Sequence, residues 1–279
     1  ALQALEADLE PLVAALTAWL NSLGRDDATA PPRAVDEAAL AAVVAQLDAL
    51  LAQDDAHSMA WRQDFIRSYL ERDVPMFAPR MPAETLGRLW TMLAHQQGAL
   101  LQQTRLASSL GLTSPAIGRY IDLLVDLQLV RRLRPWSGNV GKRLVKATKV
   151  YVRDSGLVHA LLGLPHLDAV LGHPVAGGSW EGFVIEQLIA AAPKAQASYY
   201  RTSHGAEVDL VLEFRNGATW VIEVKRSSAP SISKGFYLAS ADLGANRRLV
   251  VAPVPQPYPL RDGVDVMSPL AAVALLAAQ

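Results

Sequence analysis

The sequence predicts an α/β protein, α+β overall, made of a helical hairpin, a winged helix-turn-helix and a mixed sheet flanked by helices. Three observations carry this reading. Apolar residues recur at three-four spacing through the first 58 residues, two amphipathic segments meet at Gly111-Leu112-Thr113 ahead of two β-prone runs, and alternating apolar stretches flank Asn216-Gly217. The expected domains are residues 1–58, 59–155 and 156–279.

In the first, Leu2, Leu5, Leu9, Leu12, Leu16, Trp19 and Leu23 share one stripe, and Leu40, Val43, Val44, Leu47, Leu50 and Leu51 another. The connection from Gly24 to Arg33 passes through Pro31-Pro32, which breaks a helix. So short a hairpin buries little alone, so it must pack on the rest of the chain, on another copy or on a protein partner. It is also acidic. Residues 1–58 carry ten Asp or Glu against two Arg, a charge of −8, which leaves +7 on the other 221 residues. The basic part can face nucleic acid, and the acidic part repels it.

A length of 279 residues allows two or three domains, and no apolar run reaches the length of a membrane span. Residues 1–23 are too acidic for a secretory leader, and the chain has no cysteine, hence no disulfide frame or thiolate metal site. A cytoplasmic protein without a membrane partner is expected.

The second domain reads as helices over Glu84–Ala94 and Thr104–Leu110, then a third capped by Thr113 and running to about Leu127, with Ile117, Tyr120, Ile121, Leu124 and Val125 on its apolar face. Leu129–Arg134 and Leu144–Val152 follow as the strands of a wing. In a winged helix-turn-helix, Ser114, Ala116, Gly118 and Arg119 reach the major groove of DNA. Arg131, Arg132, Arg134, Lys142, Arg143, Lys146 and Lys149 form a basic stripe with no acid between Gln128 and Val152. Such a stripe suits phosphate, and equally an acidic protein surface such as residues 1–58.

Beyond the wing, Arg153 is expected to pair with Asp154, His159 to pack within a helix, and Ser179 to cap the helix carrying Glu181. The six histidines show no metal-ligand spacing. Two strands, Ala206–Phe214 and Thr219–Lys225, then flank the Asn216-Gly217 turn. Glu207, Asp209, Glu223 and Lys225 sit among Val, Leu and Ile, where a lone charge is costly and is expected to be paired or to hold a metal. A strict two-residue loop turns Asp209 away from Glu223 and Lys225, whereas a three-residue Asn216–Ala218 loop, or one bulge, returns them to one face. That loop puts Asp209 directly opposite Lys225 with Glu223 diagonally beside it. Two adjacent carboxylates suit magnesium, and the lysine offers positive charge to a reacting phosphoryl group. A helix over Phe236–Leu243, a strand over Arg248–Pro253, an edge strand over Asp262–Met267 and a helix over Pro269–Ala278 complete the sheet.

Gly205-Ala206-Glu207-Val208-Asp209-Leu210, the hairpin, and Ile222-Glu223-Val224-Lys225 resemble the core of the PD-(D/E)xK nuclease-like superfamily, in particular the branch similar to Holliday-junction resolvases. Trp180-Glu181-Gly182-Phe183-Val184 fits the family's preceding helix. The resemblance implies Asp209, Glu223, Lys225 and Glu181 as catalytic residues. It implies Asp209, Glu223, Glu181 and Glu207 as magnesium ligands, with Glu186 in reserve for Glu181.

A wider stretch, with Trp61-Arg62-Gln63-Asp64-Phe65, Tyr69-Leu70-Glu71-Arg72-Asp73, Trp90 to His95, Lys142 to Lys146, Tyr151 to Leu162 and Gly177 to Glu181, resembles the C-terminal domain of unknown function of a group of prokaryotic AAA+-type ATPases. This implies an effector part acting on DNA, either as a magnesium-dependent nuclease or as a non-catalytic module binding DNA or protein. The chain departs from that family in having no G-x-x-x-x-G-K-[ST] loop. Gly138-Asn139-Val140-Gly141-Lys142-Arg143 lacks both the spacing and the hydroxyl, so no ATP cofactor is expected, and the acidic hairpin stands where the ATPase is expected.

Overall fold

The structure is a computed structural model and describes residues 54–279. Apart from residues 54–58, the helical hairpin expected at the start lies outside the described residues. Helix α1 (Asp55–Ser68), capped by the Asp54 side chain, runs through a π-helical turn (Tyr69–Asp73) into α2 (Val74–Phe77). Trp61, Phe65 and Tyr69 stack along it at centroid spacings of 5.5 and 5.3 Å.

Helices α3 (Ala83–His95), α4 (Gln103–Leu110) and α5 (Ser114–Asp126) follow, then strands β1 (Val130–Leu133) and β2 (Lys149–Val152). The α4–α5 turn works as its residues require. Gly111 takes φ +65° at the end of α4, and Thr113 Oγ1 accepts from the Ala116 amide at the start of α5. Leu86, Trp90, Leu106, Ile117, Ile121 and Leu124 fill the space between the helices. Strands β1 and β2 pair antiparallel, Val130 opposite Val152, and Leu100 bridges to Lys149 on the other side of β2.

The wing strands are shorter than expected. Between them the chain leaves the pair and runs along the edge of the second sheet. Tyr199 gives its amide to Arg134 and its carbonyl to the Trp136 amide, Arg201 accepts from Val145, and the Ser203 amide reaches the Arg143 carbonyl.

Short helices α6 (Ser155–Leu161) and α7 (Leu167–Leu171) lead to the long α8 (Ala176–Ala191). Asp154 caps α6 through the Leu157 amide instead of pairing with Arg153. Ser179 lies inside the first turns of α8 rather than at its cap, and its Oγ meets His159 Nε2 at 2.9 Å. Burial then holds the His159 pKa below its ordinary value, first by desolvation and second by nearby Arg62.

Strands β3 (Gln196–Arg201), β4 (Glu207–Glu213), β5 (Thr219–Val224), β6 (Arg247–Val251), β7 (Tyr258–Leu260) and β8 (Val264–Met267) form a six-stranded mixed sheet in the order β3-β4-β5-β6-β8-β7. Helix α8 and the last helix, α10 (Pro269–Ala277), cover one face over Leu210, Leu212, Ile222 and Leu249. Helix α9 (Lys234–Asp242), capped by Ser233, covers the other over Val208, Val211, Val221 and Val250. Strands β3 and β7 add to those expected from the sequence, and Val264–Met267 is interior and not an edge because the short, proline-bearing β7 takes the edge.

Helix α8 lies so close to the α3–α4 connection that a Cβ on Gly178 would stand 2.4 Å from the Gln97 carbonyl oxygen. Backbone cannot yield there. Gly178→Ala is expected to cost about 1–3 kcal/mol, read from urea denaturation, whereas Gly177→Ala, with nothing within 4 Å of the added methyl, should leave stability unchanged.

Candidate active site

The β4–β5 hairpin closes at Phe214 and Ala218, so its loop is Arg215–Gly217, with Gly217 at φ +83° and Asn216 Oδ1 accepting from the Ala218 amide. The loop has three residues, as expected, but starts one residue earlier. Leu210 pairs with Ile222, and extending that register sets Asp209 opposite Glu223, not opposite Lys225. The ladder stops there. Alternation from the hydrogen-bonded Phe214–Ala218 pair assigns the Val224 amide to Val208, yet it donates to Asp209 Oδ2 at 3.0 Å. On the other side of β4, Asp209 and Leu210 together face the single Tyr199 of β3, a bulge. The bulge turns Asp209 towards the face that α8 covers.

A cavity of about 620 Å³ opens at this point, lined among others by Glu181, Glu207, Asp209, Glu223, Lys225 and Lys149. Glu181 projects from α8, which Trp180 fixes to the end of β5 by donating its Nε1–H to the Lys225 carbonyl at 3.0 Å. Tyr151 donates its hydroxyl to Glu181 Oε1 at 2.6 Å. Gly98, at φ +77°, lets the backbone pass where a Cβ would lie 3.3 Å from that oxygen. Lys225 Nζ sits 2.6 Å from Glu223 Oε1, and Arg201 Nε 3.6 Å from Glu207. Glu186, five residues along α8 from Glu181, serves otherwise: it binds Arg131 and, at 2.8 Å, Arg153.

Lys149 is the residue that sequence reasoning assigned elsewhere. Its ammonium stands 3.2 Å from Glu181, 3.2 Å from Asp209 and 3.5 Å from Glu207, with only 5% of the side chain exposed. It also lies 5.7 Å from the centre of the Tyr199 ring. Burial works against its charge, but the three carboxylates outweigh burial and hold the pKa above that of an ordinary lysine.

The carboxylates respond to the same confinement. Burial first, and the Asp209 charge second, push the Glu223 carboxyl up to about 7, and the same two causes raise Glu181. A folded pKa above the ordinary 4.5 means that Glu223 contributes its full stability below about pH 4.5 and loses it as pH rises through about 7. The melting temperature in chelator is therefore expected to fall between pH 5 and pH 8. Glu223→Gln should flatten that slope, and an unchanged slope would remove Glu223 as its source.

The chemistry of a divalent cation can be tested on these atoms. All donors are hard oxygens, as magnesium requires. Glu223 Oε2 is buried with no hydrogen-bond partner among the described residues, on a side chain 9% exposed, beside Asp209. Asp209 and Glu223 fit such an ion. Glu181 and Glu207 face Lys149 instead, and no group of three or more acids or histidines is arranged as a metal cluster among the described residues.

Of the residues expected to meet nucleic acid, Arg131 pairs with Glu186, Arg132 with Asp122 and Lys142 with Asp242 at 2.5 Å. Arg119 on α5, and Arg134, Arg143 and Lys146 on the connecting arm, are exposed. None of these four has an ion-pair partner among the described residues.

Residues 48–168 match a family described as Domain of unknown function DUF8612, and residues 176–272 one described as Domain of unknown function DUF4143. The two matched stretches are separated by residues 169–175. Lys149 comes from the DUF8612 match, whereas Glu181, Glu207, Asp209, Glu223 and Lys225 all come from the DUF4143 match. Uncharacterized protein Rv2008c of Mycobacterium tuberculosis and Uncharacterized protein Mb2031c of Mycobacterium bovis are each 43% identical over 213 residues, 76% of this chain and 48% of theirs. The chain thus spans about half the length of these relatives. A chain of a Thermococcus gammatolerans assembly of McrB AAA+ hexamers with bound McrC aligns over 67% of this chain and 72% of its own at 13% identity and a TM-score of 0.26, too low to carry an argument. Among the described residues no helix is long and apolar enough to cross a membrane.

Proposed function

We propose that this region is a magnesium-dependent nuclease acting on DNA, the effector part of an AAA+-type ATPase family. The observation that carries the reading is Glu223 Oε2, buried and unpartnered beside Asp209 in a cavity that also holds Lys225 and Glu181.

Asp209 and Glu223 would hold the ion. When bound it polarises a phosphoryl oxygen and lowers the pKa of its water. The chain's own residues supply the rest. Asp209 is fixed by the Val224 amide at 3.0 Å on one oxygen and by Lys149 at 3.2 Å on the other, so its carboxylate keeps its place in the cavity. Lys225 offers an ammonium to a phosphate oxygen. Burial opposes its charge, but Glu223, with Asp209 and Glu181 behind it, outweighs burial and keeps it protonated, so it stabilises negative charge rather than acting as a base. Exposed Arg119, Arg134, Arg143 and Lys146 add phosphate contacts outside the cavity.

The test is incubation of the purified chain with labelled linear duplex, single-stranded and four-way-junction DNA in magnesium or manganese, beside Asp209→Ala. Cleavage by the parent alone is the expected result and names the substrate shape. Salt-sensitive binding with no cleavage at any metal concentration would replace the enzyme by a non-catalytic DNA-binding module. Neither binding nor cleavage would direct the search to protein partners, beginning with the acidic residues 1–58.

A further inference from the structure

We infer that the Lys149 ammonium is a built-in cation of this site, so that the site takes one divalent ion at Asp209 and Glu223 rather than two. The inference deepens the magnesium reading above and rests on it.

A phosphodiester site can be served by two cations that share a carboxylate. Here Asp209 is the shared group. Its Oδ1 meets Lys149 at 3.2 Å while its other oxygen is held by the Val224 amide. On its far side lies the unpartnered Glu223 Oε2, and on its near side Glu181 and Glu207 converge on the lysine. Two of the three carboxylates around the ammonium accept hydrogen bonds from it, and Glu207 adds its charge at 3.5 Å. The burial that makes such a charge costly also makes it hard to displace.

The charge balance points the same way. Four carboxylates, Glu181, Glu207, Asp209 and Glu223, face three fixed cations, Lys149, Lys225 and Arg201, for a net of −1 when all are ionised. One divalent ion brings the site to +1, which a single phosphodiester neutralises. Two would bring it to +3. The lysine also comes from β2 of the wing, whereas every carboxylate comes from the second sheet or from α8. The wing thereby completes a site that the sheet alone leaves too acidic.

The experiment is manganese stoichiometry on the whole chain, by isothermal titration calorimetry and by the electron paramagnetic resonance signal of free manganese, with no DNA present. The parent and Lys149→Arg are expected to bind one ion, and Lys149→Met two. Adding Glu181→Gln to Lys149→Met should return the count to one. Two ions on the parent would overturn the inference and leave the magnesium reading standing, and this outcome needs no variant to fold. One ion on the parent and still one on a folded Lys149→Met would likewise overturn it. No ion on the parent but one on Lys149→Met would sink the magnesium reading while upholding the lysine as occupant, and none on either would sink both.

Discussion

Lys225→Ala is expected to cleave DNA about 10²- to 10³-fold more slowly than the parent chain in magnesium, with DNA affinity little changed. Its side chain is one-third exposed at the cavity, so the loss leaves no deep void. Its backbone is held independently, with the amide on the Val251 carbonyl and the carbonyl on Trp180. The strand therefore keeps its place when the side chain goes. On the proposed nuclease reading, loss of the charge removes the ammonium offered to the reacting phosphate. Lys225→Arg keeps the charge and should recover part of the rate. Single-turnover cleavage measures both, and equal rates for parent and Lys225→Ala would exclude the lysine from the chemistry.

The largest effect on stability is expected at Glu186. It is 91% buried and binds Arg131 of β1 through two nitrogens, one at 2.9 Å, and Arg153 at 2.8 Å. It joins α8 to the wing. Glu186→Gln leaves two half-buried guanidinium groups short of their counter-charge, at a cost of about 3–5 kcal/mol. At roughly 2–4 °C per kcal/mol for a chain of this size, the melting temperature should fall by about 6–20 °C. Thermal unfolding followed by circular dichroism reads this directly. A loss below about 1 kcal/mol, the value of an exposed pair, would mean that solvent screens the cluster.

The class of fold was legible because its signals are local. Gly111 and Thr113 end one helix and start the next, and Ser233 and Ser268 cap the helices that close the sheet. The convergence of Asp209 with Glu223 was legible from the odd loop, but their register was not, because the loop was centred one residue too late. Gly217 held the missing signal: a three-residue hairpin loop ends on its left-handed residue, which fixes Arg215–Gly217. Strand β3 was missed because Tyr199 and Tyr200 are buried on opposite faces of the sheet, so no alternation with polar residues marks it. Its neighbours place Lys149 in a basic stripe suited to phosphate or to an acidic protein surface. The acids that engage the stripe, Asp122, Glu181, Glu186, Glu207, Asp209 and Asp242, lie outside it in sequence and meet it only in the fold.

The arm that runs beside β3 has a further effect. It uses the amide and carbonyl groups of Tyr199 and the carbonyl of Arg201, which an incoming strand would need, while at the opposite margin β7 is three residues long and contains Pro259, which has no amide to give. Both borders of this sheet are thereby blunted as templates for an added strand. A partner docking on this region is better met by side chains and helices than by strand addition.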